Sequence, residues 1–187
     1  MDSRHSLLDL FGSLNDDGAV LGTFQRVLLI TDGTVTDVLE AYSGEPVRVV
    51  KLAQSLGVPD AETPELDLAP DERVLRRSIL LRGTISGRNM LHAESVISPD
   101  RLPPGVFEAI LASERPLGRI LAAHRVETFR EIVALGYVPA ASCAEHFEVD
   151  KTAKFLFRTY RIFAGHQPVI RVTEKFPATS FASSLDL

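Results

Sequence analysis

The sequence predicts an α+β fold, a single six-stranded antiparallel sheet with helices packed on one side. Three observations predict it. Residues 155–176, FLFRTYRIFAGHQPVIRVTEKF, read as two long strands joined by a tight Ala-Gly-His-Gln turn. Residues 73–82 (RVLRRSILLR) and 89–97 (NMLHAESVI) read as a second hairpin around a turn with two glycines. Hairpins dominate the strand pattern, and helical segments cluster early and in the middle of the chain.

In chain order, residues 1–22 read as a loosely attached arm, with Leu7, Leu8, Leu10 and Phe11 forming a short docking turn. Residues 24–30 are an apolar helical segment, broken by Asp32-Gly33-Thr34. Thr34 or Thr36 can cap the next helix, about 35–42. Residues 43–46 are a turn and 46–53 (PVRVVKLA) are β-rich. Three prolines and six acids make 54–72 a loop. After the hairpin of 73–97 and a loop at 98–104, Pro103 can start a helix over 104–112. Pro116 begins another over 117–123. Residues 125–136 are ambiguous by periodicity; Val126, Thr128, Phe129, Ile132 and Val133 favour a strand. Residues 137–152 read as a polar loop and 177–187 as a Ser/Ala-rich tail that frays. The expected organisation is an arm (1–22), one domain (23–178) and a flexible tail (179–187), with no repeat and no second domain.

The chain has 187 residues, 45% hydrophobic and 24% charged, enough for one sizeable core. A net charge of −5 argues against a non-specific nucleic-acid or anionic-membrane binder, though not against a local basic pocket. The single cysteine, Cys143, leaves no internal disulfide and fits a reducing compartment. No apolar run approaches the roughly 20 residues of a membrane span. The start, MDSRHSLLDLFGSLNDDG, has no signal-peptide pattern, so the expected location is the cytoplasm.

Two misfits point to a site. Side chains alternate between the faces of a strand. In the last strand one face is Ile170, Val172, Glu174 and Phe176; the other is Val169, Arg171, Thr173 and Lys175. Glu174 is the one charge on the apolar face, and a carboxylate there is costly unless paired, protonated or used. In the strand of 75–82 the apolar face is Leu75, Arg77, Ile79 and Leu81, so Arg77 is misplaced in the same way. A buried guanidinium needs a partner. The pattern leaves two readings open. Arg77 and Glu174 form a structural ion pair, or they line a pocket where the Arg fork takes a ligand carboxylate and Glu174 acts on another part.

Other candidates carry less. Glu94 shares a face with Met90, His92 and Val96, the mixed outer face of its hairpin, and His92 reads as structural. The PLGR of 116–119 opens a helix whose free N–H groups attract anions, but proline is common at helix starts. Gly33 allows a close backbone approach or only a turn. The five histidines show no HxxxH or HExxH spacing, and no metal is expected. GxGxxG, GxxxxGK[ST] and GxSxG are absent. Cys143, beside Glu145 and His146, reads as an incidental loop thiol. Residues 54–72 and 137–152 are the lid candidates.

Five motifs then stand in order: TDGTVTDVLEA, RRSILLRG, HAESVI with DRLP, PLGRILAAHRVETFRE, and RTYRIFAGHQPVIRVTEKF. In this order they resemble the chorismate pyruvate-lyase family over about residues 23–178. The likeness is to its branch of actinobacterial and cyanobacterial 4-hydroxybenzoate synthases. The resemblance implies a six-stranded antiparallel sheet with an enclosed pocket under the helices, no cofactor, and a small-molecule substrate, chorismate or a related aromatic acid. It places the substrate-carboxylate arginine on Arg77, the helix-start leucine of PLGR on Leu117, and the acid of the T-E-x-F strand on Glu174. An apolar pocket residue before a helical threonine falls on Val35, where the proteobacterial enzyme has methionine. Glu94 stands where the proteobacterial enzyme has arginine, which assigns the branch. The implied catalytic groups are Arg77 and Glu174. Glu174 contacts the substrate hydroxyl or serves as base. Arg158 or Arg161 would serve the second substrate carboxylate. Competing expectations are a related lyase of secondary metabolism, an effector-binding domain of the same fold without turnover, and a structural domain. The chain shows no DNA-binding helix-turn-helix ahead of the domain, which argues against the second.

Overall fold

The computed structural model describes residues 21–59 and 66–181, with Phe11 and Leu14 from the N-terminal stretch. The expected docking leucines 7, 8 and 10, and the tail beyond 181, lie outside the described residues. The helices are α1 (Thr23–Ile30), α2 (Val35–Ser43), α3 (Val106–Ala112), α4 (Leu117–Ala123) and the single turn α5 (Ala144–Phe147). The strands are β1 (Val47–Gly57), β2 (Val74–Gly83), β3 (Asn89–Ile97), β4 (Phe129–Pro139), β5 (Lys154–Ala164) and β6 (Gln167–Pro177). They form one sheet in the order β1-β2-β3-β6-β5-β4, every neighbour antiparallel.

The expected fold class holds, with differences at element ends. The strand expected from 125 begins at Phe129. Residues 124–126 are spent on closing α4: Arg125 N–H donates to Ala122 and Val126 N–H to Leu121, with Arg125 at φ 53. This is the 6→1, 5→2 pattern of a helix end with a left-handed residue after the cap. The apolar Val126 seals that end rather than starting a strand. The expected loop of 137–152 is partly structured. Tyr137, Val138 and Pro139 continue β4 against β5, and a 3₁₀ turn at Ala141–Cys143 leads into α5. β1 likewise runs on to Gly57, into the expected loop of 54–72.

The β5–β6 hairpin turns on Gly165 and His166, both with positive φ (56° and 67°), the pair that matches strand twist in a two-residue loop. Just past the turn the register slips: Phe163 faces Pro168, but Ile162 faces Ile170. Val169 is the extra residue, a bulge on β6.

Helices α1 to α4 cover one face of the sheet through two apolar clusters. Leu28, Leu29, Val35 and Leu39 of α1 and α2 pack with Leu81, Leu91 and Ala93. Val106, Ile110, Ile120 and Leu121 of α3 and α4 pack with Leu75, Tyr160, Ile162 and Val172. Fully burying one such aliphatic side chain contributes about 1.5–3 kcal/mol. A third, small cluster of Ala140, Cys143, Ala144 and Phe155 covers part of the opposite face. Among the described residues no helix is long and apolar enough to cross a membrane.

Candidate active site

A cavity lies at the seam between the two helix-bearing clusters, over the middle of the sheet. Its floor is Arg77, Ile79, Leu81, Ala93, Ser95, Val172 and Glu174, the apolar faces of β2, β3 and β6. Its cover is Gly33–Thr36 at the start of α2 and Pro116, Leu117 and Gly118 at the start of α4. Tyr160 and Ile162 of β5 and Arg130 of β4 complete the wall. The space not filled by protein atoms is about 580 Å³, part of it open to solvent.

Two elements of the cover fit closely. A Cβ built on Gly118 would come within 3.1 Å of the Thr34 side chain, so α4 lies close against the start of α2, and a larger residue there would have to push Thr34 back by a few tenths of an ångström. Arg119 then bolts the two helices, donating to Asp37 at 2.7 Å and also to Glu40.

Glu174 is 3% exposed, and both of its oxygens are engaged. Arg158 Nε donates to Oε2 at 2.6 Å, and the Tyr160 hydroxyl donates to Oε1 at 3.0 Å. Arg158 Nη1 reaches the Thr31 carbonyl at 2.8 Å, tying the pair to the loop ahead of α2. Burial opposes the charge on Arg158, but Glu174 and Tyr160 outweigh it and hold its pKa above the usual arginine value. Burial, reinforced by the Glu174 charge, pushes the Tyr160 phenol well up, so it stays a donor.

Arg77 is 3% exposed and is left unsatisfied. Its Nε and Nη2 are buried without a hydrogen-bond partner among the described residues. These donors share one edge of the guanidinium, the edge that grips a carboxylate in two parallel bonds. Gln54 stands cross-strand from Arg77, and its own Oε1 is buried and unpartnered, so it does not meet this need. Burial alone depresses the Arg77 pKa.

A family model described as chorismate pyruvate-lyase Rv2949c-like matches residues 29–183. The chain belongs to this chorismate pyruvate-lyase family. The chorismate pyruvate-lyase of Mycobacterium leprae is 37% identical over 158 residues, 83% of this chain and 75% of that protein. The chorismate pyruvate-lyase of Mycobacterium tuberculosis is 33% identical over 161 residues, 83% of this chain and 80% of that protein. Among solved structures, the effector domain of PhnF from Mycobacterium smegmatis superposes with a TM-score of 0.63 at 12% identity, covering 79% of this chain and 90% of that chain. The SA0254 product of Staphylococcus aureus gives 0.60 at 11%, over 78% and 88%. At such identities these likenesses show the fold alone.

The four residues that the chorismate pyruvate-lyase resemblance singled out, Val35, Arg77, Leu117 and Glu174, all line this one cavity. The open choice between an Arg77–Glu174 pair and a pocket is resolved in part: Glu174 pairs with Arg158 instead. Arg158 is thereby committed to the framework. Arg161 is turned to the outer face, where it pairs with Glu131 at 2.6 Å. Glu94 is likewise on the outer face, paired with Lys175 at 2.9 Å. Among the described residues of 54–72 and 137–152, the expected lids, none lines the cavity. Cys143 meets His92 rather than His146: its Sγ lies 3.2 Å from Nδ1, and burial pushes its thiol pKa up. Among the described residues no group of three or more His, Cys, Asp or Glu is placed to hold a metal ion. The sequence reading missed Tyr160 and Arg130. Tyr160 shares one face of β5 with Arg158, and the register shift at Val169 matches that face to the Glu174 face of β6.

Proposed function

We propose that this protein eliminates pyruvate from chorismate to give 4-hydroxybenzoate in this cavity, with Arg77 and Glu174 as the principal substrate contacts. The observation that carries the site assignment is the unpaired Nε/Nη2 edge of Arg77, in a cavity that Glu174 shares. A buried cation without a counter-charge is costly, and an anionic ligand relieves it.

The reaction asks little covalent chemistry of the protein. The C4 proton is removed, and its electron pair closes the last ring double bond. The C3–O bond breaks with its pair on the enolpyruvyl oxygen. The released enolpyruvate takes up a proton and becomes pyruvate. Gain of aromaticity drives the step, so positioning and charge stabilisation are the protein's main contributions. Arg77 holds the ring carboxylate bidentately. Glu174 has about two of its roughly four acceptor directions left by Arg158 and Tyr160, and one of them receives the C4 hydroxyl. Fixed by two donors, it orients the substrate and stands next to the proton that leaves. Backbone N–H groups near Leu117, at the start of α4, take a further anionic oxygen. Val35 and the aliphatic floor face the ring.

The test is incubation of the purified chain with chorismate, followed by absorbance and by product mass and retention. 4-Hydroxybenzoate and pyruvate in equal amounts are expected. 3-Hydroxybenzoate would reassign the chemistry, and binding without product would leave an effector-type domain. Glu174→Gln should lower kcat by about 10²–10⁴-fold, the range for loss of a positioned proton-handling group. The rate is taken per folded molecule, since glutamine also leaves Arg158 without its counter-charge. Near-native turnover in this variant would remove Glu174 from the mechanism.

A further inference from the structure

We infer that Arg130 is the second anion anchor of the cavity and holds the carboxylate that departs with the pyruvate fragment. This rests on the lyase reading above. Arg130 lines the cavity from β4, while Arg77 lines it from β2. The two strands stand four places apart in the sheet, roughly 19 Å along it at about 4.8 Å per strand. Guanidiniums that enter from such distant strands suit two ends of one ligand better than a single carboxylate.

Charge points the same way. Of the arginines described above in the cavity wall or bound to it, Arg158 is cancelled by Glu174. Arg77 has no counter-charge among the described residues. Arg130 makes one hydrogen bond, from Nη1 to the Asp32 carbonyl, and no carboxylate pairs with it among the described residues. Two uncancelled cations in one cavity complement a dianion. Chorismate carries two carboxylates and 4-hydroxybenzoate only one. Arg158 and Arg161, the other arginines suited to this role by sequence, are held by Glu174 and Glu131. A guanidinium on the enolpyruvyl carboxylate sits on the fragment that gains charge as the C3–O bond breaks, without taking part in a covalent step.

The competing role is mechanical. Through Asp32, Arg130 pins the loop that leads into the cover at Gly33–Thr36. The two roles separate by ligand. Arg130→Gln and Arg130→Lys are made in the full chain, and KM and kcat for chorismate are measured with the inhibition constant of 4-hydroxybenzoate. For Arg130→Gln, the KM should rise about 10–100-fold, the scale of one lost charge-assisted hydrogen bond, while 4-hydroxybenzoate inhibition moves less than about twofold. Lysine should recover part of the loss. Equal weakening of both ligands, or an unchanged KM, overturns the proposal. If the glutamine variant does not melt cooperatively, the lysine variant carries the same comparison with a several-fold KM rise. An unsubstituted chain that does not turn over chorismate overturns the lyase reading itself, before any variant is made.

Discussion

Arg77 and Arg158 are two arginines buried to the same degree beside one cavity, and they are treated in opposite ways. Arg158 is satisfied by a carboxylate and a carbonyl, and packs 5.0 Å from the Tyr160 ring centroid. Arg77 keeps a whole edge of donors unmet. Burial opposes the charge on both, but only Arg158 has a neighbour that restores it, so their pKa values move in opposite directions. The difference separates framework from site. A charge that the fold pays for in full holds the fold, and a charge left bare awaits a ligand.

The largest effect should come from Arg77→Met. Loss of two charge-assisted hydrogen bonds should reduce kcat/KM by about 10²–10⁴-fold. Folding stability should stay level or rise, because an uncompensated buried charge is removed and methionine fills much of its volume. Chemical denaturation beside steady-state kinetics checks both halves. A loss of stability comparable with the loss of activity would mean that Arg77 is framework after all.

Arg158→Met should act the other way round. It leaves Glu174 buried without its cation, and removal of one partner of such a pair costs about 3–5 kcal/mol. The midpoint of urea unfolding should fall accordingly. Replacing both, as Arg158→Met with Glu174→Leu, should return most of that stability, since an apolar pair is often neutral. The double variant should still be inactive, as it lacks Glu174. Recovery of stability without recovery of turnover sharpens the contrast, whereas an Arg158→Met protein of native stability breaks it.

The sequence made half of this contrast legible. Alternation along β2 and β6 placed Arg77 and Glu174 on the covered face, because the face of a strand follows from parity alone. The true partner of Glu174 was hidden by Val169. From the two-residue turn, regular pairing would set Arg158 opposite Thr173, on the outer face. The bulge shifts the register by one and brings Arg158 opposite Glu174 instead. Arg130 was hidden for a related reason. β4 begins only after Arg125 and Val126 have closed α4, so neither its start nor its inward face could be read from an apolar count over 125–136. The resemblance supplied what the pattern left open, that both misfits belong to a pocket. It did not supply the neighbours that determine how each misfit is used.

The smallest effect extends the comparison to the other face of the sheet. His92 is 4% exposed and lies between Ser78 Oγ, 2.9 Å from Nε2, and Cys143 Sγ, 3.2 Å from Nδ1. A neutral ring, one nitrogen donating and the other accepting, satisfies both neighbours, so His92 resembles Arg158 in being fully used. Burial lowers its pKa; Glu94 opposes that, while Lys175 and His146 add to it. The folded state therefore binds a proton less readily than the unfolded chain, whose histidine titrates near 6.5. Stability from this site is complete above about pH 6.5 and declines as the pH falls toward the folded pKa, by at most about 1.4 kcal/mol per pH unit. Protonation would make both ring nitrogens donors, so both neighbours would have to accept, and the Cys143 sulfur on the 3₁₀ turn is a weak acceptor. Thermal melts between pH 8 and 5 should show this decline in the unsubstituted protein and a shallower one in His92→Gln. Identical slopes would assign the acid sensitivity to the surface carboxylates instead.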